Sequence, residues 1–403
     1  MKQFFLEIFL MFRKEKLYLF LLMALLVFYG VVLAGNHVFV KKEKQEPSNK
    51  IIETQGQSRV KTQKEVKKED LLDSKMISKK LEENPELWKP IRILALTTFG
   101  IFLAGISLNF FAMHRFVKQR ELVSRAGDVL HISWGSSEIV QVILLFICFG
   151  VVLNLTVSLF KLIFGSPADS FGFILLHTLS IDLLLVFFIV NRVRKSGARV
   201  KDLLGFTWRK IPLREISVGF LTYLAILPAV LGLLMVLVYL SNKFSYQPPP
   251  HPLVNLFMSE EANSPIIMGL SLVLACLVGP IVEEIFFRGF LYPAIRKYGG
   301  TGCPCATLKR NLILDESAKT VLISDKYPHR YLNGNQCWAM VVSAGLFAAL
   351  HENIFSFLPI FLLGLALCYL YEKRSSVLAC ISLHVVHNSL FVGYFFLVKN
   401  LLT

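Results

Sequence analysis

Apolar residues along the chain gather in long runs instead of recurring at the spacing of a water-facing helix. The runs lie near 17–40, 92–113, 138–163, 171–191, 216–241, 265–287, 338–352, 355–371 and 376–398. About 20 such residues are needed to cross a hydrocarbon core roughly 30 Å thick. The pattern predicts an all-α fold, a polytopic membrane bundle of about nine transmembrane helices, or eight to nine because 338–352 and 355–371 are short and nearly adjacent. Two polar stretches interrupt the runs. Residues 41–91 form a Lys- and Glu-rich insert with patchy helical spacing that Pro85 and Pro90 end. Residues 299–337 begin with the turn-rich "GGTGCPC" and contain "TVLISDKYPHRYL", which has the pattern of a short strand pair. The expected organisation is an N-terminal anchor (1–40), the charged insert (41–91), the first helices of the bundle (92–264) and a core (265–398) that carries the second insert.

A net charge of +15 on 403 residues would suit nucleic acid, but its distribution follows the loops and implies no nucleic-acid partner. Four Lys/Arg precede the first run, four lie in 114–137 and eight in 192–215, whereas 164–170 and 353–354 have none and 242–264 has only Lys243. Positive loops stay on the cytoplasmic side, so the alternation predicts a multi-pass protein of the cell (plasma) membrane with its N-terminus in the cytoplasm. The 41–91 insert breaks the alternation, but long loops cross regardless of charge. The run from Leu17 to Ala34 exceeds a signal-peptide core and "VVLAGN" is a poor cleavage site, so it reads as a retained anchor. Cys148, Cys276, Cys368 and Cys380 lie in apolar runs, where cysteine acts as a small hydrophobe. Cys303, Cys305 and Cys337 share one insert and read as reduced thiols, with a three-thiolate metal site as the alternative. No Walker motif and no repeat of fixed period is present.

Ionisable groups inside a transmembrane helix cost about 2.5–3.5 kcal/mol each and therefore tend to mark function. The run from 265 carries Glu283, Glu284 and Arg288; the next carries Phe347 and His351; the last carries His384, His387 and Asn388. Residues four apart share a helix face. The spacing accordingly pairs Glu284 with Arg288, sets Phe347 beside His351 and places His384 one turn from Asn388. Each group also has a structural reading: a Glu/Arg pair near a helix end as a snorkelling pair, His351 beside Glu352 as an interfacial residue, His387 as a supporting one. Together they suggest hydrolysis by an activated water. Glu283 and His351 would activate it, His384 and Asn388 would bind the oxyanion, and Glu284–Arg288 would hold the helix in rotation. Zinc is the rival chemistry, with Glu283, His351 and His384 as candidate ligands, although "HENIF" has Phe355 where HExxH needs its second His.

The order EExxxR, FxxxH and HxxxN, each motif on its own apolar run, resembles the CPBP family of intramembrane proteases, which includes CAAX prenyl endopeptidases and Abi proteins. The resemblance covers about 265–398. It implies an all-helical intramembrane fold and hydrolysis of a peptide bond in a membrane-bound or lipidated substrate at the cytoplasmic side. It makes Glu283, Glu284, Arg288, His351, His384 and Asn388 the catalytic set, and it leaves a divalent metal such as zinc open as a cofactor. The long 299–337 insert and the first 91 residues depart from the family pattern, and "MKQFFLEIFLMFRKEK" loosely resembles the start of exporter permeases. A second reading, of another class, is a non-catalytic membrane protein of the same fold acting in immunity or export. A proton-coupled transporter is disfavoured because no inverted repeat of broken helices is visible.

Overall fold

The computed structural model describes residues 2–43, 82, 84–118, 123, 132–164, 171–205, 211–246, 257, 264–298, 334–351 and 354–402. Outside them lie most of the 41–91 insert and all of 299–333, with Cys303, Cys305 and the expected strand pair; Glu352 lies outside as well. Among the described residues the secondary structure is helical: α1 (Lys2–Lys14), α2 (Lys16–Glu43), α3 (Trp88–Val117), α4 (Ser136–Phe164), α5 (Phe171–Lys195), the short α6 (Val200–Leu204), α7 (Pro212–Lys243), α8 (Pro265–Tyr298), α9 (Gly334–Ala349), α10 (Ile354–Arg374) and α11 (Val377–Leu402). Eight of these, all but α1, α6 and α9, are long and apolar enough to cross a membrane, making this a multi-pass integral membrane protein. The run predicted at 338–352 is present as α9, a 16-residue helix. The run predicted to end at 287 continues to Tyr298 as a 34-residue α8.

The chain divides into two compact units, Met1–Lys14 with Gly100–Val392, and Glu15–Phe99 with Gly393–Thr403. In the second unit, Thr97 and Thr98 return their hydroxyls to carbonyls one turn back, which lets apolar helix tolerate them. The first unit contains the bundle core, with Trp134, Ile189, Tyr223, Phe290, Phe347, Leu367 and Leu383 nearly inaccessible. Its outer surface is unusually apolar, as at Phe110, Leu162 and Met235, which suits helices solvated by lipid.

Small residues set the closest helix approaches. A Cβ at Gly219 of α7 would collide with the Ala379 carbonyl of α11, and one at Gly105 of α3 would meet Pro228 of α7. A Cβ at Gly364 of α10 would lie 3.0 Å from Ala344 of α9, and Gln336 at the start of α9 donates to Glu372 at the end of α10 at 2.8 Å. These two helices therefore form a tight antiparallel hairpin.

One end of the first unit gathers the starts of α4, α7 and α11 with the ends of α5, α8 and α10. Ser133 and Ser196 hydroxyls are 3.0 Å apart, the Ser136 amide reaches the Tyr298 hydroxyl at 3.1 Å, and Arg296 pairs with Glu372 at 3.1 Å. Glu215 of α7 and Arg374 of α10 form a fully buried ion pair, with Nε–Oε2 at 3.1 Å. Arg192, Arg194, Lys195, Arg296, Lys297, Lys373 and Arg374 sit in the last turns that end here, which also complements the helix dipoles.

Candidate active site

The site is built around an irregular stretch of α8. Two π-helical segments, Leu274–Val278 and Ile285–Leu291, flank the α-helical turn Gly279–Glu284 that carries both glutamates. A π segment re-aims the side chains that follow it and frees carbonyls from the regular ladder. Its origin is visible at Pro280. The Gly279 amide bonds Leu274 O, and Pro280 has no N–H to offer, so neither reaches the Ala275 carbonyl. Asn388 of α11 fills that position, with Nδ2 donating to Ala275 O at 2.9 Å.

Glu284 and Arg288 make the i,i+4 pair that their spacing predicts, with Nη1–Oε1 at 2.9 Å. Both side chains are completely buried, so the pair is an interior structural element and not a snorkelling one. The guanidinium also reaches the Gly364 carbonyl at 3.4 Å and lies 4.4 Å above the Phe347 ring. A buried ion pair costs less where its remaining donors and acceptors find partners; the carbonyl and the ring supply two, while Arg288 Nε and Glu284 Oε2 have no hydrogen-bond partner among the described residues. The same Glu284 Oε1 accepts from Nδ1 of His384 on α11 at 2.8 Å. Sequence spacing alone does not reveal this second partner, since the two residues are 100 positions apart.

Glu283, one residue earlier, differs in environment. Its side chain is 38% exposed, and its Oε2 lies 3.8 Å from His384 Nε2, beyond hydrogen-bond range. That oxygen has no other partner among the described residues. His384 thus faces a carboxylate with each ring nitrogen, one held and one open. His351, at the end of α9, turns Nδ1 to the Phe347 carbonyl at 2.9 Å. In that arrangement Nδ1–H donates and Nε2 carries the lone pair. Phe347 joins the two imidazoles, its ring centroid 5.2 Å from that of His351 and 5.6 Å from that of His384, both edge-on. The structure therefore brings all six predicted residues into one region of the first unit, about 20 Å along α8 from its Tyr298 end at 1.5 Å per residue.

His387, expected to be supporting, points to Tyr223, with ring centroids 5.6 Å apart, and to Phe391 at 4.8 Å. Asp182 of α5 is a site neighbour that the three-motif reading misses, and it interacts electrostatically with Glu283. The signal was available: a lone Asp in the apolar "LSIDLLLVFF" is subject to the same cost argument that singled out the glutamates. Four helices, not three, therefore bring ionisable groups to this region.

Among the described residues, no group of three or more His, Cys, Asp or Glu is placed to hold a metal ion. Nδ1 of His384 is held by Glu284 and Nδ1 of His351 by the Phe347 carbonyl, which leaves Nε2 of each ring open. As placed, Glu283, His351 and His384 are not gathered into a zinc ligand set. Cys337 stands exposed on α9, and the three-thiolate alternative also needs Cys303 and Cys305, which lie outside the described residues.

Residues 265–390 match the family model of type II CAAX prenyl endopeptidases, Rce1-like. The match is consistent with the CPBP resemblance of the three motifs, all of which it spans, and it supports a CAAX-type intramembrane protease in general. No curated protein and no solved structure matches the chain.

Proposed function

We propose that the chain is an intramembrane endopeptidase that hydrolyses a peptide bond of a membrane-bound or lipidated peptide with water activated by Glu283 and His351. The observation that carries this reading is the asymmetry of the two adjacent glutamates. Glu284 is fully buried and engaged by Arg288 and His384, whereas the Glu283 side chain is 38% exposed and no described residue donates a hydrogen bond to it. A carboxylate locked by two donors is a poor base; one that no donor holds is free to take a proton.

In the proposed reaction Glu283 accepts a proton from water, with His351 Nε2 orienting the same molecule, and the water oxygen bonds to the scissile carbonyl carbon. The oxyanion that forms receives hydrogen bonds from the amide N–H that Asn388 does not give to Ala275 and from Nε2–H of His384 in its imidazolium form, in which both ring nitrogens donate. On collapse the C–N bond breaks and Glu283 returns its proton to the leaving amine. Glu284 and Arg288 touch no reacting atom; they hold His384 in rotation.

The basic end that gathers the starts of α4, α7 and α11 supports a cytoplasmic placement of that end and of α1 in the plasma membrane. The family description names prenylated substrates, but the six site residues address the peptide bond and leave the lipid open. The test is cleavage of fluorogenic membrane-anchored and lipidated peptides by the purified protein in nanodiscs, comparing wild type with Glu283→Ala and His351→Ala, with and without chelator. Cleavage that both substitutions abolish, in folded protein, is the expected result. Equal activity in wild type and variants would overturn the assignment and favour the non-catalytic reading.

A further inference from the structure

α1 falls outside the three motifs. At 13 residues it rises about 20 Å, too short to span a bilayer and suited to lying in its interface. One side is docked within the first unit. Met11 is buried, Phe4 meets the Tyr298 ring edge-on at 5.3 Å, and Ser136 Oγ donates to the Phe4 carbonyl at 3.0 Å and to Glu7 Oε2 at 3.2 Å. The Tyr298 hydroxyl also donates to Glu7 Oε2. The other side is apolar and bare, with Phe5, Leu6, Phe9 and Leu10 between 46% and 64% exposed.

These residues stand in two i,i+4 rows, Phe5–Phe9–Arg13 and Leu6–Leu10–Lys14, each apolar for two turns and then basic. The face turned inward is itself apolar apart from Glu7, with Met11 buried and Phe4, Ile8 and Phe12 half-buried, so α1 is apolar on both sides, as suits a helix set between protein and lipid. Rows that end in cations let apolar side chains enter the acyl region while Arg13 and Lys14 reach the headgroups.

We infer that α1 is a lipid-binding surface that seats Phe5, Leu6, Phe9 and Leu10 in one leaflet and engages anionic phospholipid headgroups through Arg13 and Lys14, clamped by Glu7 to the end of the site-bearing helix. The clamp is continuous with the site. Tyr298 ends α8; Ser136 adjoins Trp134, whose Nε1 donates to the Phe290 carbonyl at 2.9 Å inside the π segment that carries Arg288. A bilayer contact on α1 is therefore joined, through these hydrogen bonds and the backbone between Trp134 and Ser136, to the π segment whose Arg288 pairs with Glu284. The inference rests on the membrane location alone and not on proteolysis.

The test places p-benzoylphenylalanine at Phe9 in the full chain, reconstituted in nanodiscs of equimolar phosphatidylcholine and phosphatidylglycerol, and identifies photoadducts by mass spectrometry. Phe110, exposed on α3, serves as the lipid-facing control position. The expected result is phospholipid adducts at Phe9 enriched about threefold or more in phosphatidylglycerol over the Phe110 position, as two basic residues near a membrane surface warrant. The enrichment should fall to parity in the Arg13→Gln/Lys14→Gln variant. Adducts to a second copy of the chain, no lipid adduct, or an enrichment that the double substitution leaves intact would each overturn the inference. Glu7→Gln gives an independent reading: amide exchange in α1 should quicken while the lipid adduct at Phe9 persists. Unchanged exchange would show that Glu7 is not the clamp.

Discussion

His384 Nδ1 lies 2.8 Å from Oε1 of Glu284, the same oxygen that receives Arg288 at 2.9 Å. This shared acceptor joins the first and last motifs and leaves the neighbouring Glu283 as the carboxylate with freedom to act. The division of labour between two consecutive glutamates follows from helix geometry, because adjacent residues point about 100° apart and only one can face the buried arginine.

Glu283→Gln keeps the size of the side chain and removes its basicity. Cleavage should fall by about 10²–10⁴-fold, the usual contribution of a positioned general base, with the thermal unfolding midpoint little changed. A variant retaining more than a tenth of wild-type turnover would exclude Glu283 as the base.

Arg288→Met strips Glu284 of one partner in a fully buried position. Removing one member of a buried pair typically costs about 3–5 kcal/mol, and the loss should appear as a lower unfolding midpoint in detergent. Adding Glu284→Gln should restore part of it, since the uncompensated charge is then gone. A double variant less stable than the single would contradict the pairing.

Glu215 and Arg374 join α7 to α10 in a buried pair at the basic end. Glu215→Gln should destabilise by a similar amount of about 3–5 kcal/mol, yet leave turnover per folded molecule within about twofold, measured after removal of aggregated protein. A selective loss of turnover would move this pair into the catalytic machinery.

Gly219→Ala puts a methyl group against the Ala379 carbonyl where α7 crosses α11. Backbone must shift to admit it, and overpacking of this kind costs about 1–3 kcal/mol. Because α11 carries His384 and Asn388, turnover should drop together with the unfolding midpoint. A neutral result would show that the crossing has slack.

Asp202, outside the membrane spans, is held below the ordinary carboxylate range first by the side-chain hydrogen bond from Arg199, with the Arg199 amide also donating to it. A depressed carboxylate stabilises above its unfolded value and loses that contribution as pH falls through its folded one, so the effect should vanish below about pH 4. The pair is exposed and its worth is correspondingly small. Asp202→Asn should lower the unfolding midpoint slightly at neutral pH and leave it unchanged in acid, which flattens the acid limb; an equal shift at every pH would rule out titration as the cause.

The sequence by itself determined the spans and the local sets. Long apolar runs have no other stable solution in a bilayer than helix, and a four-residue spacing obliges Glu284 to meet Arg288 and Phe347 to meet His351 whatever the bundle around them does. It also contained Asp182, legible by the same reasoning though outside the three motifs. What only the tertiary structure decided is every relation between helices: His384 on Glu284, Asn388 on the carbonyl that Pro280 leaves open, Arg288 on Gly364, Glu215 on Arg374, and the inward-facing Glu7 of α1. Spacing fixes which residues share a face of one helix, but which faces meet depends on the rotation and stagger of helices brought together by small residues such as Gly219 and Gly364. Those are set by packing across the whole bundle and are written in no single stretch of it.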